Sequence, residues 1–228
     1  MASPWSRTAP IVWLATACTY PALSPHLAEG THVLRRGEIG VTVSGAGGAG
    51  THAITGNSAT SLGAGVETRV RIGMATDQEI GVALGGGIST KMTGEPPVVF
   101  GGALSYKIAP RPWLAFVGEL GALDKVISST LIFGGSLAAI VAVYDDGEDQ
   151  VYTGLKGSLG IPRLRGARGN AEIGGAAAGY SKRITDRARL VVEGGIFVGI
   201  GDVDSGGTTT STTGLGGYLL LSFGYRVR

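Results

Sequence analysis

From Leu34 onward the chain alternates apolar and polar residues with a period of two. Between Ser61 and Ile72, the side chains of Leu62, Ala64, Val66, Val70 and Ile72 fall on one face; Ser61, Gly63, Gly65, Glu67, Arg69 and Arg71 fall on the other. Successive side chains of an extended chain point in opposite directions, so this is the signature of a strand with two unlike faces. A polar break from Ala75 to Gln78 carries turn-type residues. Ile80, Val82, Leu84 and Ile88 then resume the pattern against Glu79, Gly81, Ala83, Gly85 and Ser89. The stretch predicts a long β-hairpin.

Variants of it fill the chain. Ile39, Val41 and Val43 form one apolar face before the hairpin. After it come Val98 to Ile108, Leu114 to Ala122, Leu131 to Val143, Val151 to Ile161, Ala171 to Lys182, Leu190 to Ile200 and Leu215 to Val227. In the segment from Ala171 to Lys182, Ala171, Ile173 and Ala177 read as the apolar face, with Glu172, Tyr180 and Lys182 opposite. Ile132, Ile140, Val191, Phe197 and Leu220 interrupt the alternation. The connections alternate in length. Ala46–Ala59, Lys91–Pro97, Asp124–Thr130, Pro162–Gly169 and Asp202–Gly214 read as the longer ones, and Ala75–Gln78, Ala109–Pro112, Asp145–Gln150 and Thr185–Ala188 as the shorter. An all-β, antiparallel up-and-down barrel of about ten strands follows, with eight as the alternative.

Composition decides which face points outward. Charged residues make up 16% of the chain, against roughly 25% in soluble domains. That is too few to cover the outside of a soluble barrel. The polar face is dominated by Gly, Ala and Ser, which suits a narrow lumen, and strands near ten residues long suit a tilted membrane crossing. No apolar run reaches the ~20 residues of a membrane helix. The reading is a transmembrane β-barrel with its apolar face toward the lipid bilayer; the alternative is a lipocalin-like ligand-binding barrel, soluble or anchored, with that face inward.

Charges then fall on the lumenal face. Glu38, Glu67, Glu79, Glu119, Glu172 and Glu193 share it with Arg69, Arg71, Lys107, Lys156, Lys182 and Arg226. The signs nearly balance, and an unpaired charge in a restricted lumen is costly. These residues are expected to form a network that fills the lumen, since a real aqueous channel takes about sixteen strands. A narrow pore for small solutes, with Arg69, Arg71 and Glu119 at its constriction, is the further alternative.

Other motifs carry less chemistry. Gly45 to Gly50 satisfies G-x-G-x-x-G, but no helix follows to receive a pyrophosphate, so it reads as a glycine loop. Asp145 to Asp149 lacks calcium-loop spacing and reads as an acidic turn. His26, His32 and His52 lie outside the expected strands, with no lumenal Ser or Asp beside them to make a catalytic base. No enzyme activity, cofactor, metal or nucleic acid is expected, and no ligand is identified. The net charge is only +2, without a basic tract.

Residues 1–17 read as an export signal: Arg7, an apolar core from Ile11 to Leu14, and Ala15-Thr16-Ala17 before Cys18. Leu14 to Cys18 resembles the lipobox of bacterial lipoproteins, which makes Cys18 a candidate for lipidation. Residues 18–33 then form a periplasmic tether, and residues 34–228 the barrel. In pattern this region resembles small bacterial outer-membrane β-barrels. The final segment, GYLLLSFGYRVR, resembles their C-terminal assembly signal, ending in Arg where the family usually ends in Phe or Trp. The resemblance implies the outer membrane of a Gram-negative bacterium, insertion by the barrel assembly machinery, and a structural or surface-interaction role. The Thr/Ser/Gly-rich Ser205–Gly214 and the glycine-rich Ala46–Ala59 are the expected exposed loops.

Overall fold

A computed structural model of the chain describes residue 27 and residues 30–54, 57–89, 98–125, 130–163, 167–205 and 208–227. Ten antiparallel strands close into one barrel: β1 Ile39–Ile54, β2 Asn57–Gly73, β3 Gln78–Ser89, β4 Val98–Arg111, β5 Leu114–Lys125, β6 Thr130–Asp145, β7 Asp149–Arg163, β8 Ala167–Arg183, β9 Ala188–Ser205 and β10 Thr208–Arg226. Each strand pairs with its neighbours in sequence, and β1 pairs with β10 from Gly40 opposite Arg226 to Ile54 opposite Thr212. The closure gives every strand a partner on each side, as a wall in hydrocarbon requires.

The register fixes the barrel's shape. Starting at Ile72 and stepping across paired residues leads through Ile80, Tyr106, Gly118, Leu137, Gly157, Gly174, Val198, Leu215 and Thr51 back to β2 at Thr60. One circuit therefore shifts the register by 72 − 60 = 12 residues. With ten strands ~4.8 Å apart and a rise of ~3.3 Å per residue, this shear tilts the strands by about 40° and gives a backbone radius of about 10 Å. A lumen of that size can be filled by side chains.

Apolar side chains face outward. Leu62, Val66, Leu84, Leu104, Leu120, Leu137, Leu155, Ile196 and Leu219 are all exposed, while Arg69, Glu119, Lys156 and Glu193 are buried. The outward stripe of β7 runs from Val151 to Ile161. At that tilt it rises about 25 Å along the axis, the height of a membrane barrel's apolar band. A lipocalin-like barrel with its apolar face inward is thereby excluded. Trp113, Tyr106, Tyr144, Tyr180 and Tyr225 are exposed toward the end that carries the turns at residues 74–77, 112–113, 146–148 and 184–187. Among the described residues, the large outward aromatics toward the opposite end are Phe100 and Phe133. The outer wall also bears a groove of about 1180 Å³ with Gly118, Gly135, Gly157 and Gly174 on its floor and leucines on its sides.

Three expectations are corrected. Most of Ala46–Ala59 and Asp202–Gly214 is strand, with only residues 55–56 and 206–207 between the strand ends. Glycine and threonine on both faces hide the alternation, yet the β1–β2 and β9–β10 ladders hold them extended. The glycine motif Gly45 to Gly50 consequently lies within the wall, on β1. The third correction is β8, whose faces are exchanged. Ala171, Ile173 and Ala177 are buried inside, and Glu172 and Lys182 are exposed on the outer face. This strand is small-residued on both faces, so its own pattern carries little contrast. Its neighbours decide the register, placing Glu172 beside the outward Leu159 and Ile200, and a one-residue slip would invert every side chain.

Directly opposed aromatic and glycine residues line the inner wall: Tyr152 with Gly179, Phe197 with Gly216, and Tyr218 with Gly195. A Cβ at Gly179 would overlap the Tyr152 ring. That ring cannot swing away freely, because its hydroxyl donates to Glu193 Oε2 at 2.8 Å. We therefore expect Gly179→Val to destabilise the barrel by about 1–3 kcal/mol through overpacking. Gly157→Val, where a Cβ meets nothing within 4 Å, should cost much less; urea midpoints of the folded, heat-modifiable form compare the two.

Candidate functional site

The lumen is built in tiers. Its middle holds a chain of charges drawn from three parts of the wall. Arg69 on β2 donates from Nε to Glu67 Oε1 at 3.0 Å and from Nη2 to Glu119 Oε1 on β5 at 2.7 Å. The other oxygen of Glu119 accepts the Ser136 hydroxyl at 3.0 Å and a short hydrogen bond from Lys156 Nζ. All five side chains are buried. Alternation on β2 puts residues 67 and 69 on the same face, and the shear brings β5 and β7 to their level. Two cations thus share two carboxylates inside one ring.

A second tier surrounds Glu193, which is 1% exposed. Its Oε1 accepts the Tyr218 hydroxyl at 2.7 Å and the backbone N–H of Leu27 at 2.8 Å, and its Oε2 accepts the Tyr152 hydroxyl. The carboxylate is held by three neutral donors. Apolar side chains pack around it, among them Leu27, Ile140, Val191, Phe197 and Leu220. Ile140, Val191, Phe197 and Leu220, together with Ile132, interrupt the sequence alternation, and all five prove to be inward and buried. The lumen is therefore part polar and part greasy.

The third tier closes the turn end. Residues 30–34 and Leu27 do not run free as a tether would; they form a strap inside the barrel mouth. Leu34 N–H donates to Glu79 Oε2 at 3.0 Å, and Arg71 Nη1 donates to Glu79 Oε1 at the same distance. Lys107 Nζ lies 4.0 Å from that oxygen and donates to the His32 carbonyl at 2.6 Å. Thr31 N–H donates to Gln150 Oε1, and Gln150 Nε2 returns a bond to the Thr31 hydroxyl at 2.9 Å. Gly30 holds φ = +66° directly against Gln150, where a side chain would be strained and would collide. The strap's anchors are wall residues and one turn carbonyl, that of Pro112, which accepts the Thr31 hydroxyl at 2.7 Å; all lie far away in sequence.

Of the twelve charges expected in the lumen, Glu67, Arg69, Arg71, Glu79, Lys107, Glu119, Lys156 and Glu193 meet inside it. Glu38 and Arg226 stand at the rim, 3.8 Å apart. Glu172 and Lys182 face outward; Lys182 lies 3.9 Å from Asp149. Sequence reasoning missed Gln150, Tyr152, Tyr218 and the strap. The two tyrosines lay on the polar face among glycines, and only the register reveals their glycine partners. Cys18 and His26 lie outside the described residues.

The acidic turn is occupied by its own backbone. Asp146 Oδ1 accepts the N–H groups of Glu148 and Asp149 at 3.0 and 2.7 Å, and Asp145 Oδ1 accepts that of Gly147, whose φ is +86°. The Asp149 N–H, then the Tyr144 hydroxyl and the Glu148 N–H, lower the Asp146 carboxyl to about 2. Contrary to expectation, His32 does lie beside an acid: its Nε2 is 3.6 Å from Asp145 Oδ2, beyond hydrogen-bond range. Among the described residues no group of His, Cys, Asp and Glu is arranged to hold a metal ion.

These features define the class: a ten-stranded transmembrane β-barrel of the bacterial outer-membrane type. No protein-family profile matches the chain, and no curated protein matches it in sequence. Solved structures of similar architecture include the outer membrane protease OmpT from Escherichia coli, at 10% identity and TM-score 0.47 over 86% of this chain and 99% of that one. An outer membrane channel from Pseudomonas putida F1 gives 11% identity and TM-score 0.48 over 88% and 99%. The translocator domain of the autotransporter NalP from Neisseria meningitidis gives 12% and 0.47 over 86% and 90%. At these identities the likeness is one of fold alone.

Removing one partner from a buried ion chain strands the others. Glu119→Gln should cost about 3–5 kcal/mol, whereas Glu148→Gln, which breaks the exposed pair with Arg183, should cost about 0–1 kcal/mol. Equilibrium urea unfolding of the two variants in the same lipid checks the contrast. His32 offers a pH test, since it lies on the strap, outside the spanning strands. Burial, then Arg189, push its pKa from 6.5 down to about 4, with Lys107 and Arg226 adding to this and Asp145 opposing it. The docked state favours neutral imidazole, so the stability it contributes is complete above the ordinary value and is lost as pH falls from 6.5 toward 4. Histidine NMR should give a midpoint near 4; a midpoint at the ordinary value would mean that the strap is not docked.

Proposed function

We propose that this chain is a closed outer-membrane barrel of a Gram-negative bacterium, with a structural or surface-interaction role. The observation that carries the reading is the triple filling of the lumen: the Arg69–Glu119–Lys156 chain, the Glu193 cluster and the strap across the turn end. Nothing in that filling resembles the water-filled bore of a sixteen-stranded porin. Short turns lie on the periplasmic side of such barrels, so the strap faces the periplasm and the opposite rim faces outward. On that outer rim β9 and β10 run to Ser205 and Thr208, and β1 and β2 to Ile54 and Asn57. This raised wall, rich in Thr, Ser and Gly, is the surface offered to partners.

The role is non-catalytic in this reading. Export by a signal peptide over residues 1–17, lipidation at Cys18 and insertion by the barrel assembly machinery complete the proposal. A lipid on Cys18 would lie nine residues before Leu27, which at ~3.3 Å per residue is about 30 Å of chain. That is enough to leave the mouth and reach the inner leaflet.

Purified protein in planar bilayers tests the closed lumen. The expected record is baseline current with no large, steady unitary conductance. A steady open level would overturn the reading, and small events abolished by Arg69→Ala would favour the narrow polar pathway instead.

A further inference from the structure

At the turn end, beside the strap, β8, β9 and β10 enclose a small cavity of about 50 Å³ whose lining includes His32, Arg71, Ser181, Arg187, Arg189 and Arg226. Four guanidinium groups around one small space are electrostatically unfavourable unless something negative sits among them. Arg71 is answered by Glu79. Among the described residues, Arg226 has one carboxylate partner, Glu38 at 3.8 Å, and that carboxylate also accepts the Arg35 N–H. Among the described residues, Arg189 donates to neutral oxygens: the Ser181 hydroxyl at 3.3 Å and the Gly147 carbonyl at 2.9 Å. Its Nε is buried with no acceptor. Arg187 has no carboxylate within salt-bridge distance among the described residues; its hydrogen bonds are those of its backbone. Two other acids lie near Arg189, and both have partners of their own: Asp145 is engaged by Gly147 N–H and the Gln150 amide, and Asp149 lies 3.9 Å from Lys182.

We propose that this corner binds a phosphate-type oxyanion, held by the guanidinium groups of Arg187, Arg189 and Arg226. A tetrahedral oxyanion supplies the acceptor that Arg189 Nε lacks, and it accepts forked donation from several arginines at once. The strap forms one wall of the site through His32 and Leu34, so occupancy would also brace the strap. Phosphate of this chemistry has two sources at a periplasmic rim: the headgroup of an inner-leaflet phospholipid, or free inorganic phosphate. The proposal does not depend on whether the lumen conducts.

The test uses the full barrel in uncharged detergent, titrated with inorganic phosphate by calorimetry. A second arm reconstitutes it with phosphatidylglycerol and counts retained lipid by native mass spectrometry. Saturable binding in either arm is expected, weakened about tenfold or more by Arg189→Gln and by Arg226→Gln, each of which removes a charge-assisted donor. Arg183→Gln, outside the cavity, should leave it unchanged. Binding of free phosphate alone assigns the soluble source, and retained lipid alone assigns the headgroup. Heat-modifiable mobility verifies folding; should Arg189→Gln not fold, the rim variant Arg226→Gln decides. No saturable binding of either probe, or equal binding by wild type and both variants, overturns the proposal.

Discussion

A carboxylate enclosed by a wall with hydrocarbon on its far side has no bulk water to return to, and the interior of this barrel is arranged around that constraint. Glu119, Glu79 and Glu193 are each nearly inaccessible, and each is satisfied differently. Glu119 takes two cations and a hydroxyl. Glu79 takes one guanidinium, a nearby ammonium and a backbone N–H. Glu193 takes two phenols and a backbone N–H. In two of the three, the last donor comes from the segment before β1. The strap is therefore part of what allows those acids to be buried, because an unsatisfied buried acceptor costs about 1–3 kcal/mol or more.

The wall makes room for this filling through its glycines. A ten-stranded barrel with a shear of twelve has space for one layer of large side chains at any level. Tyr152, Phe197 and Tyr218 each lie over a glycine on the adjacent strand, so three rings fit where three facing side chains could not. Toward the outer end the inward positions become glycines, such as Gly48, Gly63, Gly87 and Gly101, and they stay partly accessible. The lumen is thus crowded near the turn end and sparse near the opposite end. Inward apolar residues such as Val99, Leu123 and Ile132 form a separate cluster toward that end. They cover the polar tiers on that side with low-dielectric material, which strengthens the hydrogen bonds beneath them.

Strand number, topology and facing were largely legible wherever the two faces differed strongly. On β2, β7 and β10 the contrast between leucine or valine and glycine or a charge is steep, so the hydrophobic pattern alone orients them. β8 failed that test because Ala, Gly and one Ile provide no contrast, and its facing is set by pairing with β7 and β9. The extended ends of β1, β2, β9 and β10 were hidden for a related reason. Gly and Thr are weak local evidence for a strand, and only closure of the barrel supplies the partners that keep them extended. The strap was illegible in principle. Leu27, Thr31 and Leu34 contribute chiefly backbone N–H groups, which every residue but proline possesses, and their acceptors lie 166, 119 and 45 residues away.

The one-sided aromatic girdle ties this inner arrangement to the membrane. Amphipathic rings settle at the headgroup level, and here Trp113, Tyr144, Tyr180 and Tyr225 gather at the turn end. That end is thus fixed in depth, at the level where the strap and the arginine corner lie just inside the wall. The opposite end has phenylalanines, which lack a polar tip, so it is held by the height of the apolar band alone. Strand length beyond that band can then be added only outward. β9, β10, β1 and β2 do this, carrying polar strand past the last lipid-facing residues while the turn end stays short and closed. The same barrel is therefore pinned and plugged on one side and extended on the other, and both properties follow from where a few rings and a few backbone N–H groups find their partners.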